Sequence, residues 1–310
     1  LVDGSRWPVT FLILLLGLFL PPASFAQTVP EEPTRNSIER YRVRLWIAYE
    51  AAPEIGLVAD DKFRSDLGRS LKAIFGGAWD MQMSAAPPGI GAILPGDTAP
   101  LTVQQLKALA DGIDDVGKLI VVGIGWNGKE YEVQSREFDA RAQVWSISRT
   151  HRIGAPSELL SVTLGAIVQT FAPVGTIGKP NKNRVEVALH AGEYSSASEW
   201  MGPDGRRIGS PLVPQPGSLM QVIIRRRNPR SAEQRYSYSV IPWTILQVNG
   251  TQQGESTCTI HSGLRSPLRV RGVSRTDRLA IAIQPRFPQT TLKILSNDEP
   301  QRPLSGYQVY

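Results

Sequence analysis

Beyond Asn181 the sequence loses helical periodicity almost completely, and this change limits the fold more than any other feature. Residues 184–190, 219–224, 236–246, 256–261, 279–283 and 291–295 are short runs of strand-like composition separated by Gly, Pro and Ser. Short strands divided by turn formers predict a β-barrel or β-sandwich of about one domain's length.

The first half reads differently. Residues 41–49 alternate polar and apolar side chains like a strand, and Asp60 or Asp61 is placed to cap a helix whose apolar face is Phe63, Leu67, Leu71 and Ile74. Gly76-Gly77 ends that helix, a strand follows near 79–83, and Thr102 with Gln105 makes a capping box for a second helix. The continuous apolar run 119–124 predicts a strand buried on both faces. Asn127-Gly128 then turns the chain into a strand over 131–138, with another near 142–147. A third helix is expected over 156–171, with Leu160, Leu164, Ile167, Val168 and Phe171 on one face. The expected class is α+β: an α/β domain over 41–175, with a mixed sheet and three helices, and an all-β barrel or sandwich over 184–296. The turn-rich stretch 175–183 separates them, 27–40 is expected to be a flexible N-terminal segment, and 297–310 to open a further β module or close the sheet.

Arg6 precedes an uncharged, almost wholly apolar run over residues 9–20, too short for the roughly twenty residues a bilayer span needs. Pro21-Pro22 breaks the run, and Ser24-Phe25-Ala26 supplies small residues where a signal peptidase reads. Residues 1–26 therefore read as a secretory signal cut before Gln27, the alternative being an uncleaved N-terminal anchor. No later stretch approaches eighteen apolar residues, so no transmembrane segment is expected in the mature chain. The expected location is periplasmic, cell-surface or extracellular in a bacterium. The single cysteine, Cys258, excludes an internal disulfide framework, a four-thiolate zinc site and a Cys-x-x-Cys pair.

Charge divides the chain at the same place as periodicity. Residues 27–180 hold 16 basic and 18 acidic side chains, whereas 181–310 hold 17 and 9, and 15 of those 17 are arginine. Arg225, Arg226, Arg227, Arg230 and Arg235 cluster beside Tyr236 and Tyr238, and Arg265, Arg269, Arg271, Arg275 and Arg278 form a second group. Guanidinium forks suit phosphate, sulfate and carboxylate, so the first cluster is the candidate anion site, for an acidic polymer, lipid headgroups or an envelope protein. The same spacing also suits a plainly solvated strand face. Export argues against a genomic nucleic-acid role. Trp200, Trp243 and Tyr194 lie in this half and are expected to pack in the core rather than line a groove.

Other constellations are weaker. Gly89-Ile-Gly91 and Gly123-Ile-Gly125 precede no helix, so neither reads as a phosphate loop. There is no Gly-x-Ser-x-Gly elbow to join His151, His190 or His261. Cys258 and His261 stand three apart on a strand and so face opposite ways. Asp60, Asp61, Asp111, Asp114 and Asp115 suit a Mg²⁺ pocket less well than caps and a solvated turn. No cofactor or metal is expected.

Near the end, Pro303-Leu304-Ser305-Gly306-Tyr307-Gln308-Val309 resembles the opening of a carboxypeptidase-regulatory or transthyretin-like β-sandwich module. The layout as a whole resembles uncharacterised exported proteins of planctomycete-type bacteria, which implies no catalytic residues to carry over. The function expected from all this is that of an exported, non-catalytic envelope or surface protein with an Arg-rich β domain. The alternative is an extracytoplasmic hydrolase with a site between the domains, using Asp60, Asp61 or His151.

Overall fold

In the computed structural model of the chain, the alternating run at 41–49 becomes strand β1 (Tyr41–Tyr49), an interior strand of a mixed sheet. The structure describes residues 39–49, 57–94, 101–109, 116–194, 200–201, 207–228, 236–268 and 276–283. All of them lie within the compact unit Thr34–Tyr310. The expected signal at 1–26, the segment 27–38, the strand at 291–295 and the module at 297–310 fall outside the described residues.

Helix α1 (Leu57–Phe75) leads from β1 to β2 (Trp79–Ala85), which pairs with β1 in parallel from Tyr41–Trp79 onward. Phe63, Leu67, Leu71 and Ile74 do form its inward face. The helix starts before Asp60 and Asp61, so neither residue caps it; Asp61 is exposed on its surface. The capping box does form: Thr102 N–H donates to Gln105 Oε1 at 2.8 Å and Gln105 N–H to Thr102 Oγ1 at 3.3 Å, opening α2 (Val103–Leu109). Strand β3 (Lys118–Trp126) lies parallel to β1 on its other side, and β4 (Tyr131–Asp139) returns antiparallel to it. In the connecting turn Gly128 has φ 92, and Asn127 Oδ1 accepts the N–H groups of Lys129 and Glu130, each at 3.0 Å. Two short strands, β5 (Val144–Trp145) and β6 (Arg149–Ile153), both pair with β4. The third helix opens with a 3₁₀ turn at Pro156–Glu158 and continues as α3 (Leu159–Thr170). Of the expected face Ile167, Val168 and Phe171 are buried and Leu160 and Leu164 half-buried, and the buried side also takes in Leu159, Thr163, Ala166 and Thr170. Ser135 on β4 bonds the Thr170 hydroxyl at 2.7 Å.

The remaining strands close a six-stranded antiparallel barrel: β7 (Val174–Ile177), β8 (Arg184–Leu189), β11 (Leu219–Arg227), β12 (Tyr236–Gln252), β13 (Glu255–Ser262) and β14 (Thr276–Ala282). Two brief strands, β9 (Trp200–Met201) and β10 (Arg207–Ile208), pair only with each other. Barrel order is β11-β12-β13-β8-β7-β14. Val185, Val187, Met220, Val222, Leu246, Val248, Cys258 and Ala280 fill it. Burial pushes the Cys258 thiol up to about 11, which makes it an inert packing group. At the β12–β13 turn Gln253 and Gly254 both have positive φ, as a two-residue hairpin requires. A Cβ on Gly254 would lie 2.8 Å from the Gly192 Cα, so the close backbone approach there needs glycine.

Apart from the barrel interior, one apolar cluster runs from the sheet to the barrel's outer wall. Tyr41, Leu67, Phe75, Ile120, Val133, Ile167 and Phe171 pack in one cluster with Val174, Ile223, Leu279 and Ile281 of the barrel. At its centre lies an ionic group. Lys118 Nζ, 0% exposed, donates to Glu137 Oε1 at 2.5 Å, Asp139 Oδ2 at 2.8 Å and the Ala172 carbonyl at 2.7 Å. The ammonium also lies 4.9 Å from the Phe171 ring centroid and 5.5 Å from that of Tyr41. Ala172 N–H donates to Glu137 Oε2 at 3.1 Å and Ala142 N–H to Asp139 Oδ1 at 2.8 Å, so all four carboxylate oxygens are engaged. Burial alone would depress the Lys118 ammonium, but Asp139 and then Glu137 outweigh it and hold it above the usual lysine range. Burial raises Glu137 to about 7 against the pull of Lys118.

The barrel is pinned beside this group. Val174 N–H donates to the Tyr41 hydroxyl at 3.2 Å, and the His190 ring meets the Tyr41 ring edge-on at 4.5 Å. Arg141 Nη1 donates to His190 Nδ1 at 2.6 Å, which requires a neutral imidazole. Burial and then Arg141 lower His190 to about 4.

Candidate functional site

The arginine run 225–227 ends strand β11, where alternation sends neighbouring side chains to opposite sides of the barrel wall. Met220 and Val222 face the interior and Ile223 faces the sheet, which puts Arg225 and Arg227 on the outer register and Arg226 on the inner one, at the barrel mouth. Arg225 is held. It lies between Asp277 on β14 and Tyr238 on β12, its Nε and Nη2 donate to Asp277 Oδ2 at 2.9 and 2.7 Å, and its guanidinium covers the Tyr236 ring at 4.8 Å. With 17% of its side chain exposed, Arg225 is chiefly a strand-end clamp. Arg226 and Arg227 lie opposite Ser237 and Tyr236, are exposed, and have no carboxylate within ion-pair distance among the described residues. Arg230 and Arg235 lie outside the described residues, as do Arg269, Arg271 and Arg275. Arg265 is exposed, whereas Arg278 is part-buried and donates to the Leu268 carbonyl at 3.4 Å.

Trp243 departs from its expected place in the core. Between Val240, opposite Ile223, and Ile245, opposite Gln221, strand β12 carries four residues against the single Val222, so the ladder bulges outward. Trp243 sits on the bulge with φ 54 and 84% of its surface exposed. Its carbonyl accepts the Gly263 N–H at 3.1 Å, while the adjacent Thr244 is buried and shares a 2.7 Å hydrogen bond with Ser262. Val240 and Leu264 are exposed as well, and Arg265 follows Leu264. A proline before it and a β-partner lost at Val222 explain the exposure, and only Pro242 was visible in the sequence. Tyr194, in contrast, packs on the core beneath Arg40 as expected. The side chain of Trp200 lies outside the described residues.

The acid–base candidates do not converge. His151 lies on the short strand β6 opposite Val133, half-buried, with its Nε2 unpartnered and its basicity lowered by burial and then by Arg149. Asp61 is on α1, and no hydrogen bond or ion pair joins it to His151 among the described residues. The Asp60 side chain and Asp111, Asp114 and Asp115 lie outside them. Cys258 points into the barrel and His261 outward to Gln247, at 3.0 Å, as the strand period requires. Among the described residues no three His, Cys, Asp or Glu side chains are grouped to hold a metal ion. No described helix is long and apolar enough to cross a membrane. The residues that the sequence analysis did not single out are Lys118, Glu137, Asp139 and Arg141.

No protein-family model matches the chain, and no curated protein does. Its similarity to solved structures is weak. It is 15% identical to the hypothetical protein CT253 from Chlamydia trachomatis over 37% of this chain and 70% of that one, with a TM-score of 0.24. With TolB from Acinetobacter baumannii the identity is 12%, over 70% of this chain and 57% of that one, with a TM-score of 0.27. With a PelC dodecamer from Paraburkholderia phytofirmans it is 15%, over 43% and 86%, with a TM-score of 0.24.

Proposed function

We propose that this chain is an exported, non-catalytic binding protein of the cell envelope or surface, whose barrel takes an anionic partner at the end that carries Arg226 and Arg227. The observation that carries the reading is the contrast within one strand. Arg225 has its carboxylate and its aromatic platform, while Arg226 and Arg227 are exposed and pair with no carboxylate among the described residues. The strand fixes where the two side chains start, each guanidinium loses rotamer freedom only when an anion fixes it, and its planar fork matches carboxylate, sulfate or phosphate. Export is supported by the apolar run at 9–20 followed by Ser24-Phe25-Ala26. The partner class is an acidic polymer, a lipid headgroup layer or an acidic protein surface. Chromatography of the full chain on immobilised heparin tests the reading. Retention at low salt that is weakened by Arg226→Gln with Arg227→Gln supports it, and passage of the wild-type chain unretained at low salt refutes it.

A further inference from the structure

We propose that Lys118 and Asp139 become joined by an amide bond inside the folded chain, in a self-catalysed step in which Glu137 carries the proton. The two residues are direct partners across the β3–β4 ladder, and Lys118 Nζ lies 2.8 Å from Asp139 Oδ2. All three side chains are buried, at 0% exposure for Lys118 and 1% for each carboxylate, beneath the rings of Tyr41 and Phe171.

Three conditions for such a reaction meet here. The reacting groups are held together by the sheet, and prepaid orientation of this kind is worth effective concentrations of about 10⁵ M or more. The pocket is lined with apolar and aromatic side chains, so the amide, once made, is shielded from hydrolysis. The product also removes one buried charge pair, that of Lys118 and Asp139, from the core, and leaves the Glu137 carboxyl to the Ala172 N–H at 3.1 Å. Asp139 is assigned as the electrophile because it is the direct cross-strand partner of Lys118, and Ala142 N–H, at 2.8 Å from Oδ1, polarises its carboxyl group as the nitrogen adds. Glu137 is assigned as the proton carrier by position: it touches Nζ at 2.5 Å, and burial raises its carboxyl to about 7, which narrows the gap to an ammonium that its two carboxylates hold above the usual lysine range.

The step balances without an outside reagent. Nζ passes one proton to Glu137 Oε1, and the freed lone pair attacks Asp139 Cγ to form the C–N bond. The nitrogen then loses a second proton. That proton, with the one held by Glu137, leaves on an Asp139 carboxyl oxygen as water when the C–O bond breaks. Glu137 ends as a carboxylate, and the net charge of the group is unchanged.

Intact mass spectrometry of the full chain, followed by a tryptic digest, tests this. The expected mass is lower than the sequence mass by one water, about 18 Da. Trypsin is expected to fail after Lys118 and to yield a branched species joining residues 108–129 to 137–141. Glu137→Gln, which keeps both bond partners and the size of the side chain, is expected to restore the full mass and cleavage after Lys118. A wild-type chain of full mass that is cut after Lys118 overturns the bond. A branch at Glu137 instead of Asp139, or a water loss that persists in Glu137→Gln, overturns the assigned roles.

Discussion

Asp139 stands directly across the sheet from Lys118, and its two carboxylate oxygens are divided between the Lys118 ammonium at 2.8 Å and the Ala142 amide at 2.8 Å. The same ammonium reaches the Ala172 carbonyl in the link between α3 and the barrel. One buried cation therefore ties β3, β4 and the entry to β7 together at the point where the sheet meets the barrel wall.

Removing that cation alone strands two carboxylates in an apolar core. Lys118→Met, which removes both the ammonium and the bond proposed to form from it, is expected to lower stability by at least about 3 kcal/mol, the lower end of the usual cost of breaking a buried ion pair from one side. Chemical denaturation followed by both circular dichroism and tryptophan fluorescence reads the change. Because Val174, Ile223, Leu279 and Ile281 of the barrel share a cluster with the sheet, the two signals are expected to shift together.

His190 gives the fold an acid limit. Its folded-state value of about 4 lies below the ordinary 6.5, so between those values the unfolded chain takes up a proton that the folded chain refuses. The stability contributed by neutral His190 is present above 6.5 and is lost as pH falls toward 4, by up to about 3 kcal/mol. His190→Gln, compared with wild type in denaturant titrations from pH 7 to 4, is expected to show a correspondingly shallower loss. An identical pH slope in the two proteins would contradict the assignment.

Much of this was legible beforehand, and the exceptions have physical causes. The Thr102–Gln105 box, the Asn127 turn and the barrel strands β8, β11, β12, β13 and β14 are local signals that formed where their residues stand, whereas β7 falls mostly in the stretch 175–183 that reads as a linker. Even the ionic group was within reach: counting back from the Asn127 turn pairs Lys118 with Asp139, and a strand whose Tyr131, Val133 and Ser135 face inward must turn Glu137 and Asp139 inward too. What local pattern could not show is where helix α1 begins ahead of Asp60, or that β12 loses its partner at Val222 and pushes Trp243 into solvent. Those depend on which strands meet, a matter of the whole fold.

Trp243 is a test of that last point. A ring that is 84% exposed on a left-handed backbone contributes little to packing and carries strain. Trp243→Gly is expected to leave the melting temperature unchanged or to raise it, by the equivalent of roughly 1 kcal/mol. A large fall would mean that the ring is a core residue after all.

The three arginines of β11 should separate by role. Arg225→Gln is expected to lower the unfolding midpoint, because it removes the Asp277 pair and the Tyr236 contact. Arg226→Gln and Arg227→Gln are expected to leave the midpoint almost unmoved, as exposed substitutions generally do. Thermal melts of the three variants decide it.

The central claim, that Arg226 and Arg227 form an anion-binding strand end, is tested most directly by equilibrium binding of the full chain to soluble heparin across a salt series. Contacts that displace counterions make the logarithm of affinity fall linearly with the logarithm of salt concentration, with a slope that grows with the number of contacts. Such a line is expected for the wild-type chain and a shallower one, by roughly two contacts, for Arg226→Gln with Arg227→Gln. Equal slopes in the two proteins, or no binding by the wild-type chain at the lowest salt, would contradict it.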